Sequence, residues 1–191
     1  DDNENGVNAG SVYVFRYVNS SWVQHDKLIT SDGNSNDYFG RFVSIDKDLA
    51  VVGAYYDNNI TGSAYVFKRT GIDWIEEEKL VASDGASGDY FGISTSVKKD
   101  YIVIGAYRDD NINGIDAGSA YIFKKTQDGW IEEKMVISSD GAAYDRFGIS
   151  VSLDRDFMVI GAYYDDGNTG STYIFKNTTS GWIEEQKLVA S

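Results

Sequence analysis

From Tyr101 to Tyr107 the chain reads YIVIGAY, almost unbroken in apolar and β-branched residues, as a strand covered on both faces requires. The stretch before it, Phe91 to Val97 (FGISTSV), alternates apolar with small polar residues and predicts a strand with one packed face. Two further strands are expected, Ser119 to Phe123 (SAYIF) and Trp130 to Ser138 (WIEEKMVIS), the last with a charged middle. Lys98-Lys99-Asp100 makes a tight polar turn, Thr126-Gln127-Asp128-Gly129 joins the third and fourth strands, and Ser139-Asp140-Gly141 starts the crossing to the next unit. No 3.6-residue period persists beyond one turn. The expected class is all-β, and each unit is a four-stranded antiparallel meander.

The same pattern returns along the chain. Phe-Gly stands at Phe39-Gly40, Phe91-Gly92 and Phe147-Gly148, and Gly-Ala at Gly53-Ala54, Gly105-Ala106 and Gly161-Ala162. Gly-Ser-x-Tyr-x-Phe begins at Gly10, Gly62, Gly118 and Gly170. Tryptophans at 22, 74, 130 and 182 give periods of 52, 56 and 52 residues. Units of this length bury their apolar faces on their neighbours.

Four-stranded units with a glycine-marked inner strand suggest β-propeller blades set around an axis. The Phe-Gly strand, with the small Ser94, Ser96, Ser150 and Ser152, suits the crowded position near the axis. The tryptophan strand, with Glu76-Glu77-Glu78-Lys79 and Glu184-Glu185-Gln186-Lys187, suits an outer edge where charge discourages pairing. About three and a half blades are expected: a half blade over 1–31 and blades near 32–83, 84–139 and 140–191. Propellers normally close with more blades, so the expectation is a piece of a longer array, or closure by self-association through open blade edges.

Composition narrows the partners. With 17 basic against 30 acidic residues the net charge is −13, which repels phosphate backbones and anionic lipid, so neither nucleic acid nor membrane insertion is expected. The absence of cysteine excludes disulfides and thiolate metal sites. The longest apolar run, Phe157 to Tyr164, is interrupted by Gly161 and is far short of a membrane span, and Asp1-Asp2-Asn3-Glu4 is not a signal-peptide pattern.

Several groups could carry chemistry. Asp109-x-Asn111-x-Asn113-Gly114 has the spacing at which alternate side-chain oxygens converge on a hard cation, and Asp1-x-Asn3-x-Asn5-Gly6 repeats it. Shorter versions contain Asp57 with Asn59, and Asp165 with Gly167. Calcium is the cofactor this spacing suggests; ordinary turn composition is the alternative, since no bidentate glutamate follows. Asp32 with Asp37, Asp84 with Asp89, and Asp140 with Asp145 precede each Phe-Gly and read either as turn caps or as ligands on one face. The tryptophans read as packing between blades, whereas Tyr56, Tyr107 and Tyr164, beside the Asp-rich loops, read as ligand-contact residues. Catalysis has little support: His25 is the only histidine and its counterpart one period on is Glu77. Sequons stand at Asn19, Asn59 and Asn177.

The order Asp-Gly, Phe-Gly, two hydrophobic strands, Gly-Ala, then Gly-Ser-Ala-Tyr-Val-Phe resembles the FG-GAP repeats of integrin α-subunit β-propellers, in a bacterial-type variant with Gly-Ala-Tyr for Gly-Ala-Pro. The resemblance spans nearly the whole chain. It implies a non-catalytic, extracellular or cell-surface adhesion module that meets a protein or glycan ligand on its loop face. One departure matters. Integrin-type repeats carry a calcium loop between the first two blade strands, and here that turn is only IDKDL, VKKDY or LDRDF, so that site is not carried over. The alternative role is a structural repeat that assembles into a surface or extracellular filament.

Overall fold

The computed structural model describes residues 1–189. Strands β1 (Val12–Val18) and β2 (Ser21–Leu28) pair as a two-stranded sheet. Three four-stranded sheets follow: β3 (Val43–Asp46), β4 (Leu49–Ala54), β5 (Ser63–Thr70) and β6 (Asp73–Leu80); β7 (Ser94–Lys98), β8 (Tyr101–Ala106), β9 (Ser119–Thr126) and β10 (Gly129–Val136); β11 (Phe147–Asp154), β12 (Phe157–Ala162), β13 (Ser171–Thr178) and β14 (Gly181–Val189). Each is an antiparallel meander in chain order, as expected of propeller blades. The Phe-Gly strand is shorter than its alternation suggests in the second full blade, where the ladder starts at Ser94 and Phe91 makes only an isolated bridge to Gly62.

The core lies between sheets. Val51, Val66, Phe91, Ile102, Ile104 and Trp130 fill one layer, and Val103, Ile122, Phe147, Met158, Ile160 and Trp182 the next. Ile102 and Ile104 face one way and Val103 the other, which is why YIVIGAY needs no polar position. Each such side chain stabilises the fold by roughly 1.5–3 kcal/mol on burial. The face of β12 beyond the last layer is uncovered: Met158 and Ile160 are buried while Phe157 and Val159 are exposed. Trp22 departs from the expected packing role and is 70% exposed: a blade's tryptophan packs on the preceding sheet, and among the described residues no sheet precedes β1–β2. Trp182, by contrast, meets Tyr101 of the preceding blade edge-to-face at 5.7 Å.

Main-chain atoms join consecutive blades. The Phe39, Phe91 and Phe147 N–H groups donate to the carbonyls of Ala9, Thr61 and Ala117 at 3.0, 2.9 and 2.9 Å. The approach is so close that a Cβ on Gly62, whose φ is +89°, would lie 2.0 Å from the Phe91 carbonyl oxygen, and one on Gly53 1.9 Å from that of Gly92. Only glycine admits this contact.

Two local devices shape the sheets. Every fourth strand carries a bulge that leaves His25, Glu77, Glu133 or Glu185 unpaired, so the lone histidine occupies a position that is glutamate elsewhere. A bulged, charged outer strand is a poor template for another chain. After β4 and β12 the chain makes a single left-handed turn through Asn58, Asn59 and Ile60 (φ 51°, 59° and 69°), and through Asp166, Gly167 and Asn168 (φ 51°, 68° and 74°). Asn, Asp and Gly enter this region readily, and Ile60 is held there by its carbonyl, which accepts the Gly88 and Tyr90 N–H groups of the next blade.

Candidate functional site

The loops between second and third strands and the crossings between blades meet on one face. In the first full blade Lys79 Nζ sits 2.6 Å from Asp32 and 2.7 Å from Asp57, while the Tyr65 hydroxyl donates to Asp32 at 2.8 Å with Asp57 3.2 Å away. The third full blade repeats the set: Lys187 Nζ lies 2.8 Å from Asp140, 2.7 Å from Asp165 and 3.1 Å from Asp166, and the Tyr173 hydroxyl bonds Asp140 and Asp165. Burial works to raise the Asp165 carboxyl, but its hydrogen bonds from Lys187, Ser171 and Tyr173 outweigh this and hold it below the usual range.

The middle blade lacks the cation. Across the ladder from Tyr121, where Lys79 and Lys187 stand in the sister blades, is Met135. The Tyr121 hydroxyl still donates to Asp84 at 2.8 Å, and Asp109 takes a bond from Ser119, but no ammonium reaches either carboxylate. Burial, with the nearby charges of Asp89 and Asp84, pushes the Asp109 carboxyl up to about 6. Asp84, Asp89, Asp109, Asp110 and Asp116 line an open cavity of about 360 Å³ here, with Arg108 at its wall.

The donors in the long loops do not fit a calcium loop. Asn111 Oδ1 accepts the Asn113 N–H at 2.8 Å, and its amide nitrogen donates to the Gly118 carbonyl at 2.9 Å and to Ser119. Asn113 donates to the Ser138 carbonyl. Asn3 and Asn5 copy this arrangement onto Gly10 and Thr30, while Asp1 accepts from Tyr13 at 2.9 Å. The asparagine amides are therefore bonded to their own loops, as in Asn3 and Asn111, or to the crossing into the next blade, as in Asn5 and Asn113. In the short loops Asn59 bonds Ser87, and Asp57 and Asp165 face lysine. Among the described residues no group of three or more His, Cys, Asp or Glu side chains is arranged to hold a metal. Asp37, Asp89 and Asp145 act as turn caps, accepting the N–H groups of Asn34, Ala86 and Ala142 at 2.6, 2.5 and 2.6 Å.

The expected tyrosines belong to a larger array. Three positions recur per blade: the residue before Phe-Gly and the pair after Gly-Ala. They are Tyr38, Tyr55 and Tyr56; Tyr90, Tyr107 and Arg108; Arg146, Tyr163 and Tyr164. Ring centroids run without a break from Tyr38 to Tyr56 (5.1 Å), Tyr56 to Tyr90 (5.4 Å) and Tyr90 to Tyr107 (5.4 Å). The Arg146 guanidinium then bridges Tyr107 (5.5 Å) to Tyr163 and Tyr164 (5.8 and 4.7 Å). Arg108 lies over Tyr90 and Tyr107, and Arg41 over Tyr55. Tyr56 and Tyr107 are half-buried within this ladder, while Tyr163 and Tyr164 are exposed at its end. Tyr38, Tyr90 and Arg146 were not singled out in the sequence, although each holds a positive φ (54°, 60° and 59°) that turns its side chain toward the ladder.

His25 takes no part; its ring nitrogen lies 2.7 Å from the Ile72 carbonyl at the outer edge. The family model for the FG-GAP repeat matches residues 22–67, 74–123 and 130–175. Each match starts at a tryptophan in the last strand of one sheet and ends at the third strand of the next, so the sequence repeat and the blade are out of phase by one strand. With most of the chain matched and the blade architecture in place, this chain belongs to the FG-GAP repeat family.

Proposed function

We propose that the chain is a non-catalytic binding module that works in adhesion, outside the cell or at its surface, and meets a protein or glycan ligand on its loop face. The observation that carries this reading is the ladder of tyrosines and arginines across three blades, which ends in the open pair Tyr163 and Tyr164. Amphipathic rings on a rigid sheet edge offer contact area at little entropic cost, as binding surfaces require. The non-catalytic reading is supported by the place of His25 in an edge bulge, and by carboxylates committed to tyrosine, lysine and turn amides. The test is retention of the immobilised chain on cell surfaces or extracellular matrix. Wild type is retained, and Tyr56→Ala, Tyr107→Ala and Tyr164→Ala release it; retention of all three variants at wild-type level rejects the loop face.

A second reading, structural assembly, rests on a different surface. Phe15, Tyr17 and Trp22 are 51%, 63% and 70% exposed on the two-stranded sheet, a large apolar area for a protein surface. Concentration-dependent sedimentation that Trp22→Lys abolishes would favour assembly.

A further inference from the structure

We infer that the arginine-bearing stretch of the ladder is a site for a sugar carrying a single carboxylate, such as a hexuronate, with Arg146 taking the carboxylate, Arg108 adding positive charge beside the same Tyr107 ring, and Tyr163 and Tyr164 offering a stacking face. The inference rests on the binding-module reading and names the ligand class of that surface.

The first ground is substitution within the repeat. Tyrosine fills the position before Phe-Gly at Tyr38 and Tyr90, and arginine replaces it at Arg146; tyrosine fills the second position after Gly-Ala at Tyr56 and Tyr164, and arginine replaces it at Arg108. The two replacements fall against the same ring, Tyr107, at 5.5 Å each. Both guanidiniums thus border one ring of an otherwise aromatic ribbon, Arg108 reaching back to Tyr90 and Arg146 on to Tyr164.

The second ground is that neither guanidinium is consumed by the protein. In a chain with 30 acidic residues, Arg69 with Asp48 is the only arginine ion pair among the described residues. Arg146 spends one Nη on the Tyr163 hydroxyl at 2.7 Å, and the Nε–H groups of both Arg108 and Arg146 are buried without an acceptor, which leaves the remaining Nη groups to meet a ligand. Left on rings and not on carboxylates, these Nη groups keep charge-assisted donors for a carboxylate. Holding Arg146 there costs a left-handed backbone of a kind that persists only where the surroundings enforce it.

The third ground decides the charge of the ligand. Asp89, Asp110 and Asp116 line the cavity beside Arg108, and the chain carries a net −13. That background opposes a polyanion, so two local guanidiniums suit one negative charge on an otherwise neutral ring. Exposed Tyr163 and Tyr164 supply a face for such a ring.

The test titrates the whole chain calorimetrically with methyl β-glucuronide and with methyl β-glucoside, which differ only by carboxylate against hydroxymethyl. The glucuronide is expected to bind with Kd of about a millimolar and the glucoside at least about tenfold more weakly. Arg146→Gln removes the difference, Tyr164→Ala weakens both sugars, and Arg155→Gln, in the exposed β11–β12 turn, changes nothing. Arg146→Lys guards against misfolding, since it keeps the charge, and each variant's thermal melt is compared with wild type. Equal binding of both sugars overturns the acidic class while leaving a neutral sugar platform. Binding of neither sugar, in a chain that still adheres to surfaces, overturns the sugar site and leaves the adhesion reading in place. Failure of adhesion together with selective glucuronide binding rejects the adhesion role and keeps the site.

Discussion

Ser83 gives both its backbone N–H (2.9 Å) and its hydroxyl (2.8 Å) to the carboxylate of Glu132, tying the end of one blade to the outermost strand of the next. Ser31 with Glu76, at 2.9 and 2.7 Å, and Ser139 with Glu184, at 2.9 and 2.6 Å, are the same clasp at the other joints. Glu132→Ala is expected to lower stability by about 1–2 kcal/mol, the usual range for losing hydrogen bonds to a charged acceptor near the surface. Urea unfolding reads this directly, and an unchanged midpoint would mean that solvent replaces the clasp without loss.

The main-chain joint is expected to be far less tolerant. Gly62→Ala places a methyl 2.0 Å from the Phe91 carbonyl oxygen and should cost more than about 3 kcal/mol or prevent folding. Gly71→Ala is the control: its φ is also positive, at +68°, but nothing lies within 4 Å, so only the backbone cost of about 1 kcal/mol applies. Equal losses in the two variants would show that the close approach is not what joins the blades.

Asp109 makes stability depend on pH in an unusual direction. Its folded carboxyl titrates at about 6 against an ordinary 3.8, mainly through burial, so between those values the folded chain keeps a proton that the unfolded chain has released. The folded state then binds more protons, and this contribution to stability is lost as pH rises from about 4 to about 6, by at most about 3 kcal/mol. Asp109→Asn removes the dependence and is more stable than wild type at pH 7. Met135→Lys supplies the ammonium that the sister blades possess and stabilises at pH 7, with the gain fading on acidification as the carboxylates protonate. Denaturant midpoints measured from pH 4 to pH 8 compare the three chains.

Thermal melts in millimolar calcium and in excess chelator are expected to superimpose, because Asn3 and Asn111 are bonded within their own loops, Asn5 and Asn113 to the next crossing, and lysine fills the acidic sets containing Asp57 and Asp165. Calcium held only by the folded state at a hundredfold excess over Kd would stabilise by about 2.7 kcal/mol. A rise of that size, lost in Asp109→Ala and Asn111→Ala, would return the ion to the long loop.

Much of this molecule is legible in one dimension. Phe91 and Phe147 mark the joints, Ile102 to Ile104 declare a strand with two covered faces, and Asp37, Asp89 and Asp145 cap turns as residue type and position suggest. The acidic sets are not legible, because Lys79 meets Asp32 from 47 residues away through a register that only the folded ladder fixes. The asparagine loops leave two readings open for another reason. A turn and a cation site share the same spacing, and they differ in whether the amide points at its own backbone, as Asn111 does. The ladder was half visible. Tyr56, Tyr107 and Tyr164 recur beside Gly-Ala, but Arg146 disguises its kinship with Tyr38 and Tyr90, and the left-handed backbone that unites the three leaves no pattern of residue types.

The joint between blades has a consequence for how such a chain can change over generations. Its main-chain part consists of carbonyls, amide hydrogens and the absence of a Cβ, so that part does not depend on which side chains stand at the rim. Selection can then rewrite the residues at the rim of one blade without disturbing the next. Lysine can become Met135, and tyrosine can become Arg146, while Phe147 still donates to Ala117 at 2.9 Å. A scaffold inherited by copying can thereby carry a different surface on each copy.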